Sequence, residues 1–363
     1  MKQRIESVDL LRGMTIVAMI LVNTPGDWGA VYAPLLHADW HGLTPTDLIF
    51  PFFLFIVGIS IYFAYKHKSK TADTYKKVAI RSLKLIGLGL FLNLFVPIFP
   101  FFEALITVRI PGVLQRIGIV FFVTAWLYLN CNWKTLIGIV VAILVGYWLF
   151  LGFVPLPDGT APTFERAPNN WSNFVDFHVL GKHMWQPDYD PEGILSTIPA
   201  VATSVFGVLI GRLLDTETDR KVLKLIVVGV LLTVTGYFWH MVFPINKALW
   251  SISFVFVTAG IGTIILGVIY YIVDVKQYHF GAVFKYAGMN AITVYFLSSL
   301  ISKIFYLVPL GENHNIHSWL YNNLFVHDFM GAKLSSLLYA VVVALCYLSL
   351  GYYLYKKKIF IKV

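Results

Sequence analysis

Residues 35–65 read LLHADWHGLTPTDLIFPFFLFIVGISIYFAY, and the change of character within this stretch decides the fold. A polar loop with two histidines and two acidic residues gives way at Pro45 to a long apolar run. About 20 mainly apolar residues are enough to cross a bilayer as a helix. The stretch therefore predicts a polar loop at one membrane surface, followed directly by a membrane-spanning helix.

The composition of the whole chain agrees with a membrane protein. Of its 363 residues, 58% are hydrophobic and only 13% are charged, whereas about a quarter of the residues in a soluble domain are charged. We predict an all-α polytopic protein that forms a single domain over residues 1–363, without a cleavable signal peptide. The ten predicted spans are residues 5–24, 46–65, 79–97, 112–130, 135–153, 194–213, 222–240, 249–273, 286–307 and 334–355.

The distribution of Lys and Arg predicts the orientation. With the N-terminus in the cytoplasm, 21 of the 28 Lys and Arg residues fall in or beside the predicted cytoplasmic segments, as the positive-inside rule requires. We therefore predict that both termini are cytoplasmic and that the loop before Pro45 faces outward. The net charge of +9 is explained by anchoring beside anionic lipid, so no nucleic-acid partner is expected.

The first span carries ionisable residues where they are costly. Asp9 and Arg12 are three residues apart, so they lie on one helix face and can form an ion pair. The pair either anchors the cytoplasmic end at the interface or faces a polar cavity. Asn23 closes the same helix, either as a helix-end residue or as a group directed into the outer vestibule beside His37.

The outer loop contains several candidates for chemistry. Thr44, Pro45 and Asp47 have the order of an N-cap, a proline in the first turn and an acidic residue that favours the helix dipole. Such a carboxylate can also orient a histidine. His37 and His41 are either solvated, weak metal ligands, or acid–base or nucleophilic groups, and we predict no metal.

Further polar residues are predicted at helix ends. Arg109 and Arg116 either bind an anionic group through a guanidinium fork or pair with an acid such as Glu103 or Glu192. Asp190, in DPE, is predicted to cap the sixth span. The remaining candidates are Asn246 and Lys247 at the outer start of the eighth span, and Gly288 and Asn290 at the inner start of the ninth.

The longest connection, residues 154–193, is predicted to be an extracytoplasmic loop rich in polar and aromatic residues. Long ordered loops are often functional, and aromatic faces beside polar groups suit a sugar. The sequence shows neither a nucleotide-binding glycine motif nor a G-x-S-x-G nucleophile motif.

Six segments together resemble the membrane domain of the heparan-α-glucosaminide N-acetyltransferase family. They are ESVDLLRGMTIVAMILVN, HADWHGLTPTDLIFPFFLFIVGISI, RIPGVLQRIGIVFF, DPEGILSTIPAVATSVFGVLIG, FPINKALWSISFVFVTAG and GMNAITVYFLS. Their order extends from Glu6 to about Leu297. The resemblance implies transfer of acetyl from cytoplasmic acetyl-CoA to the amine of a glucosamine-type sugar on the far side of the membrane. It also implies a homodimer and, in a bacterium, a location in the inner membrane.

The resemblance assigns the family's active histidine to His37, in the context HADW, and a second active residue to Asn23. With Asp47, these are the expected catalytic residues. The expected substrate-binding residues are Asp9, Arg12, Trp40, His41, Arg109, Arg116, Glu192, Asn246 and Lys247. From their predicted depth at the inner mouth, the expected acetyl-CoA contacts are Lys84, Lys285, Gly288 and Asn290, together with Arg12.

Other functions stay open at this point. A sugar transporter, or a membrane acyltransferase that acts on another acceptor, also suits ten spans with polar residues near the helix ends. A receptor or scaffold leaves the costly polar residues unexplained. His41 stands where the lysosomal member of the family has asparagine, and the additional luminal domain of that enzyme does not precede the first span here. Another amino sugar or a cell-wall fragment therefore remains open as the acceptor.

Overall fold

The computed structural model describes residues 5–218, 220–278 and 281–361, and within them the protein is helical, with isolated β-bridges but no strand. A 3-10 turn, Pro45–Leu48, leads into α2, and a π-turn, Tyr271–Val275, extends α9. The α-helices are α1 (Glu6–Asn23), α2 (Ile49–Tyr65), α3 (Ala72–Leu94), α4 (Val113–Asn130), α5 (Trp133–Phe153), α6 (Trp171–Leu180), α7 (Thr197–Asp215), α8 (Lys221–Trp239), α9 (Ile252–Tyr270), α10 (Ala282–Met289), α11 (Ala291–Leu307), α12 (Ile316–Leu324) and α13 (Ala332–Lys356).

Each predicted span overlaps at least one of these helices, and the all-helical membrane character is confirmed. Seven of the described helices are long and apolar enough to cross a bilayer, and the bent pair α10–α11 brings the number to eight. The other two helices at predicted spans, α1 and α3, carry several charged residues in or beside their apolar faces. The count of ten spans and the orientation therefore stay predictions.

The ninth predicted span, residues 286–307, is divided in the structure between the two helices α10 and α11. The chain turns by 82° between α10 and α11, at Asn290. The Asn290 side chain donates to the Ile359 carbonyl and accepts from the Ile361 amide, both at 3.0 Å. The side chain therefore ties the bend to the C-terminal segment, which hydropathy along one segment cannot reveal.

Glycines allow α2 and α7 to approach closely. A Cβ atom placed on Gly58 of α2 would lie 1.8 Å from the Ser204 carbonyl oxygen of α7. A Cβ atom on Gly207 of α7 would lie 1.9 Å from the Phe55 carbonyl oxygen of α2. Small residues at such crossings let backbones pack together within a membrane. This contact fixes the helix whose outer end carries Asp47.

We expect Gly58→Ala to destabilise the fold by roughly 1–3 kcal/mol, because the added methyl group forces α2 and α7 apart. Thermal unfolding in detergent measures the effect as a lower midpoint. The matched control is Gly138→Ala in α5, where a Cβ atom meets no neighbouring atom within 4 Å. Equal midpoints for the two variants would contradict the packing argument.

Candidate active site

The loop before Pro45 is joined to the start of α2 through one carboxylate. The end of the helix group at which this loop lies is the one predicted to face outward, and it is called the outer end below. Asp47 is buried and forms a capping box with Thr44: the Thr44 amide donates to Asp47 Oδ2 at 3.1 Å, and the Asp47 amide donates to the Thr44 hydroxyl. The Ala38 amide donates to the same carboxylate oxygen at 3.1 Å. The other oxygen, Oδ1, lies 2.7 Å from His37 Nδ1. The capping prediction is confirmed, and the same carboxylate orients His37.

This geometry selects one form of the histidine. Asp47 as a carboxylate can only accept hydrogen bonds, so His37 Nδ1 carries the hydrogen toward it. The second ring nitrogen, Nε2, then holds a lone pair that can take a proton or an acyl group. The His37 side chain is 51% exposed, which leaves that nitrogen accessible to a substrate.

The segment before α9 completes this cluster. Lys247 Nζ lies 3.1 Å from His37 Nδ1, 3.3 Å from His37 Nε2 and 3.7 Å from Asp47 Oδ1. Burial lowers the pKa of Lys247; the charges of Asp47 and Glu192 oppose that effect, and the charge of Arg116 adds to it. The buried Asn246 side chain lies 3.2 Å from His41 Nδ1. The structure thus brings both loop histidines to the start of α9.

Residues 154–193 cover this cluster from outside. Trp40 donates through Nε1 to the Phe164 carbonyl at 2.9 Å and packs edge-on against Tyr189, with ring centroids 5.1 Å apart. His41 Nε2 lies 3.3 Å from a carboxylate oxygen of the exposed Glu165. Aromatic surface and a carboxylate therefore border the two histidines, in a loop that also contains α6.

The two outer arginines have different partners. Arg109 donates to both oxygens of the buried Asp190, at 2.8 and 2.6 Å, and also to Glu192. Burial alone would lower the pKa of Arg109, but the hydrogen bond and charge of Asp190 and the charge of Glu192 outweigh it and raise that pKa. The expected pairing with Glu192 is found, whereas Glu103 lies 3.9 Å from Lys303 instead.

Asp190 does not cap a helix, so that prediction is wrong. Helix α7 begins at Thr197, well after Asp190, and Ser196 precedes it. Asp190 instead accepts from the Glu192 amide at 2.9 Å within a turn, and it binds Arg109. The Asp190 carboxylate, which the local sequence predicts at a helix start, binds the Arg109 guanidinium instead, although Arg109 is 81 residues away in the chain.

Arg116, on α4, is almost fully buried and forms no ion pair with a carboxylate of the described chain. Its Nη2 donates to the Gly193 carbonyl at 3.2 Å and to the Ser196 hydroxyl. The guanidinium carbon lies 5.0 Å from the centre of the Trp250 ring. Its remaining nitrogens, Nε and Nη1, have no hydrogen-bond partner in the described chain. The expected carboxylate partner is therefore found for Arg109 but not for Arg116.

The turn that carries these groups is held by a buried acid in α6. Asp176 accepts from the Ile194 amide at 2.9 Å and from the Asp190 amide at 3.2 Å. Burial raises the pKa of Asp176 to about 6, and the charge of Asp190 adds to the rise, while the two backbone hydrogen bonds oppose it.

We expect a pH-dependent loss of stability from Asp176. The folded pKa of about 6 lies above the ordinary value of 3.8, so the protonated carboxyl favours the folded state. That contribution is fully present below pH 4 and is lost as the pH rises through 6. A shift of this size corresponds to roughly 3 kcal/mol. The difference in unfolding midpoint between Asp176→Asn and wild type, measured from pH 4 to 8, should change with pH over that window. A constant difference would contradict the assignment.

Asn23 lines an outer cavity of about 370 Å³ together with Arg109, Trp28, Trp185 and Tyr295. His37 and Asp47 are not among the residues that line this cavity. Glu192 binds Arg109, which lines this cavity. Asn23 and His37 therefore belong to separate parts of this end of the protein.

A second cavity, of about 650 Å³, lies at the opposite end of the same helices. It combines cationic side chains of α1 and α3 with the backbone of the α10–α11 break. Arg12 pairs with Asp9 at 2.8 Å and donates to Ser60 at 2.7 Å. The arginine of the ion pair in the first predicted span thus lines this cavity. The residues that line it include Arg12, Lys77, Arg81, Lys84, Gly288 and Asn290.

Lys285 is not part of this cavity, in contrast to the other expected acetyl-CoA contacts. It pairs with Glu6 at 2.6 Å. Two residues that line the cavity, Lys77 and Arg81, were missed by the sequence analysis. The sequence could have indicated these two residues, because Lys77, Arg81 and Lys84 are spaced four and three residues apart and therefore share one face of α3.

The two cavities lie close to each other along the helices. On α4, Leu114 lines the outer cavity and Ile117 lines the inner one. On α11, Tyr295 lines the outer cavity and Ile292 the inner one. Three residues span roughly 4.5 Å of a helix. The linings of the two cavities therefore come within about one helical turn of each other on α4 and on α11.

No group of three or more His, Cys, Asp or Glu side chains arranged to hold a metal ion occurs within residues 5–218, 220–278 and 281–361. Each loop histidine contacts a different carboxylate: His37 contacts Asp47, and His41 contacts Glu165.

Comparison with known proteins gives one family. The family described as "Heparan-alpha-glucosaminide N-acetyltransferase, catalytic" matches residues 4–224. The chain is 30% identical to the human heparan-alpha-glucosaminide N-acetyltransferase and 28% identical to the mouse protein of that name, and both matches cover 99% of the chain. The chain spans 60% of the length of each of these relatives.

Proposed function

The chain belongs to the heparan-alpha-glucosaminide N-acetyltransferase family, and from this premise we propose that it transfers acetyl from acetyl-CoA at one membrane face to a sugar amine at the other. The observation that carries the proposal is the placement of a basic cavity and an oriented histidine at opposite ends of one helix group. The basic end is the one that the charge distribution predicts to be cytoplasmic, and the histidine end faces outward.

The inner cavity is the proposed site of the donor's nucleotide. The phosphates of CoA are anionic, and Arg81, Lys77 and Lys84 supply cationic groups along one face of α3. Gly288 lets backbone approach closely, since a Cβ atom there would lie 2.2 Å from the Asp9 carbonyl oxygen. The pantetheine arm would pass from this cavity toward the outer one along α4 and α11, and the thioester would reach the outer cavity that Asn23 lines.

We expect the double variant Arg81→Gln, Lys84→Gln to raise the KM for acetyl-CoA by about ten-fold with little change in kcat, because these groups bind ground state and transition state alike. Steady-state kinetics at varied acetyl-CoA measures both constants. The matched control is Lys285→Gln, which removes a cation that pairs with Glu6 outside the cavity. A KM effect from Lys285→Gln alone would contradict the proposed position of the nucleotide.

His37 is the proposed catalytic residue, and its chemistry can take two routes. In direct transfer, Nε2 takes a proton from the sugar ammonium, the freed amine attacks the thioester carbonyl, and the C–S bond breaks to release CoA thiolate, which takes up the second amine proton as the amide forms. In the two-step route, Nε2 attacks the thioester and the C–S bond breaks to release CoA thiolate. The neutral sugar amine then attacks the acetyl group on Nε2, the C–Nε2 bond breaks to restore the imidazole, and the amine proton is taken up by the thiolate. Asp47 orients the imidazole and stabilises its positive charge in both.

Both routes build negative charge on the carbonyl oxygen. Lys247, 3.3 Å from His37 Nε2, would stabilise that oxyanion electrostatically. Asn23 would donate a hydrogen bond to the thioester oxygen as it arrives from the outer cavity. Lys247 would therefore act beside His37, and Asn23 would act at the outer cavity.

A glucosamine-type sugar is the proposed acceptor. Trp28 and Trp185 are 53% and 66% exposed at the outer cavity, and Trp40 and Tyr189 border the histidine loop. Such aromatic faces pack against sugar rings, while Glu165 offers a carboxylate to an ammonium group. The two relatives are named for heparan glucosaminide, but the chain covers only part of their length. Free glucosamine and short amino-sugar fragments are therefore the first acceptors to test.

The decisive experiment measures release of CoA thiol from acetyl-CoA by the purified protein, with and without glucosamine. The proposal expects turnover that depends on the sugar and yields N-acetylglucosamine. A transporter would bind or move the sugar without consuming the thioester, and that result would refute the proposal. As part of the same proposal, the protein works as a homodimer in a bacterial inner membrane, which mass measurement in detergent and membrane fractionation test.

A further inference from the structure

A third cavity lies at the same membrane end as the proposed donor site, but between other helices. Its volume is about 480 Å³, and the ends of α2, α4, α5 and α7 enclose it. Four cationic side chains line it, and no acidic side chain of the described chain does. These cations are Lys66, Lys68, Lys70 and Arg212.

The charge of this cavity is largely uncompensated. Asp215 pairs with Lys66 at 2.5 Å and accepts from the Tyr62 hydroxyl at 2.9 Å. Lys68, Lys70 and Arg212 have no carboxylate of the described chain within ion-pair distance. The Arg212 guanidinium carbon instead lies 4.9 Å from the centre of the Trp133 ring. Three cations around one hollow repel one another unless an anion lies between them.

The rest of the lining is apolar and aromatic. Leu129, Leu136 and Val208 form apolar walls, and Tyr128 and Trp133 add aromatic surface. Helix α5 forms one wall of the cavity. Only 28% of the apolar stretch of this helix is buried inside the protein, so the rest of its surface is available to lipid. The cavity therefore has a basic part and an apolar part beside lipid-exposed surface.

We propose that this cavity binds a phosphate-bearing amphiphile, with the phosphate among Lys68, Lys70 and Arg212. The favoured source is the headgroup of an anionic phospholipid, because basic pockets between transmembrane helices recognise such headgroups and the apolar walls suit the start of an acyl chain. The other source of the same chemistry is a phosphate of the donor nucleotide, since Tyr65 lines both this cavity and the inner donor cavity.

Native mass spectrometry with phosphatidylglycerol, and acetyl-CoA titration of the same samples, test the proposal. The variant is Lys68→Gln, Lys70→Gln, Arg212→Gln. Because a cation near a membrane surface contributes about five-fold to anion binding, we expect on the order of a hundred-fold loss of phosphatidylglycerol affinity. The double variant Lys68→Gln, Lys70→Gln keeps the helix residue Arg212 and should lose roughly 25-fold. The charge-matched control is Lys221→Gln, Lys356→Gln, Lys357→Gln, which leaves this cavity unchanged.

The outcomes separate the sources and are independent of catalysis. Loss of lipid affinity with unchanged acetyl-CoA affinity identifies a phospholipid site. Loss of acetyl-CoA affinity with unchanged lipid affinity identifies a nucleotide phosphate. If the cavity variants and the control triple retain both ligands equally well, the cavity binds no phosphate and the inference is wrong, whether or not the protein transfers acetyl groups.

Discussion

Replacing His37 with alanine should lower the rate of acetyl transfer by about a hundred- to ten-thousand-fold, the range typical for loss of a general base. His37 Nε2 is the ring nitrogen that does not contact Asp47, and it lies 3.3 Å from Lys247 Nζ. The side chain is half exposed, so its removal costs little buried apolar area, and the fold should persist. Acetyl-CoA affinity should also persist, because His37 does not line the inner cavity. Steady-state transfer and acetyl-CoA titration measure both quantities.

The neighbouring histidine supplies the control. His41 contacts Asn246 and the carboxylate of Glu165. Because Glu165 is exposed whereas Asp47 is buried, His41 is held less firmly, and His41→Ala should lower the rate far less. Near-normal transfer by His37→Ala, with transfer abolished in His41→Ala, would reverse the assignment of the two residues.

Trapping distinguishes the two routes of transfer. In the absence of acceptor, radiolabelled acetyl should remain on the wild-type protein and be missing from His37→Ala if an acetyl-imidazole forms. Wild-type protein that transfers acetyl but retains no label would favour direct attack by the amine.

Replacing Arg109 with methionine should destabilise the folded protein by roughly 3–5 kcal/mol, because it leaves carboxylates buried without their cation. The Asp190 side chain is fully buried and that of Glu192 is 10% exposed, and both bind Arg109. Methionine retains most of the apolar contact of the arginine stem. The unfolding midpoint in detergent measures the loss.

The control variant leaves Arg109 replaced and also removes the negative charges that Arg109 balanced. In the triple variant Arg109→Met, Asp190→Asn, Glu192→Gln, no carboxylate remains unpaired, so much of the lost stability should return. If the triple variant were less stable than Arg109→Met, the shape of Arg109 would matter more than its charge.

The local sequence was sufficient for the membrane character and for one element of the site. Hydropathy acts over about 20 consecutive residues, so each predicted span overlaps a helix. Capping acts over four residues, so Thr44 and Asp47 were recognisable as the start of α2. A capping carboxylate was expected to orient a histidine, and the structure shows that this histidine is His37, ten residues before Asp47.

Tertiary structure decided the features that depend on distant partners. Arg109 and Asp190 are 81 residues apart in the chain, and their attraction overrides the local capping pattern of DPE. The break at Asn290 depends on hydrogen bonds to residues 359–361. The juxtaposition of the two cavities depends on how α1, α3, α4 and α11 pack. Ion pairs, bends and cavities arise where separate segments meet, and a local pattern contains no information about which segments those will be.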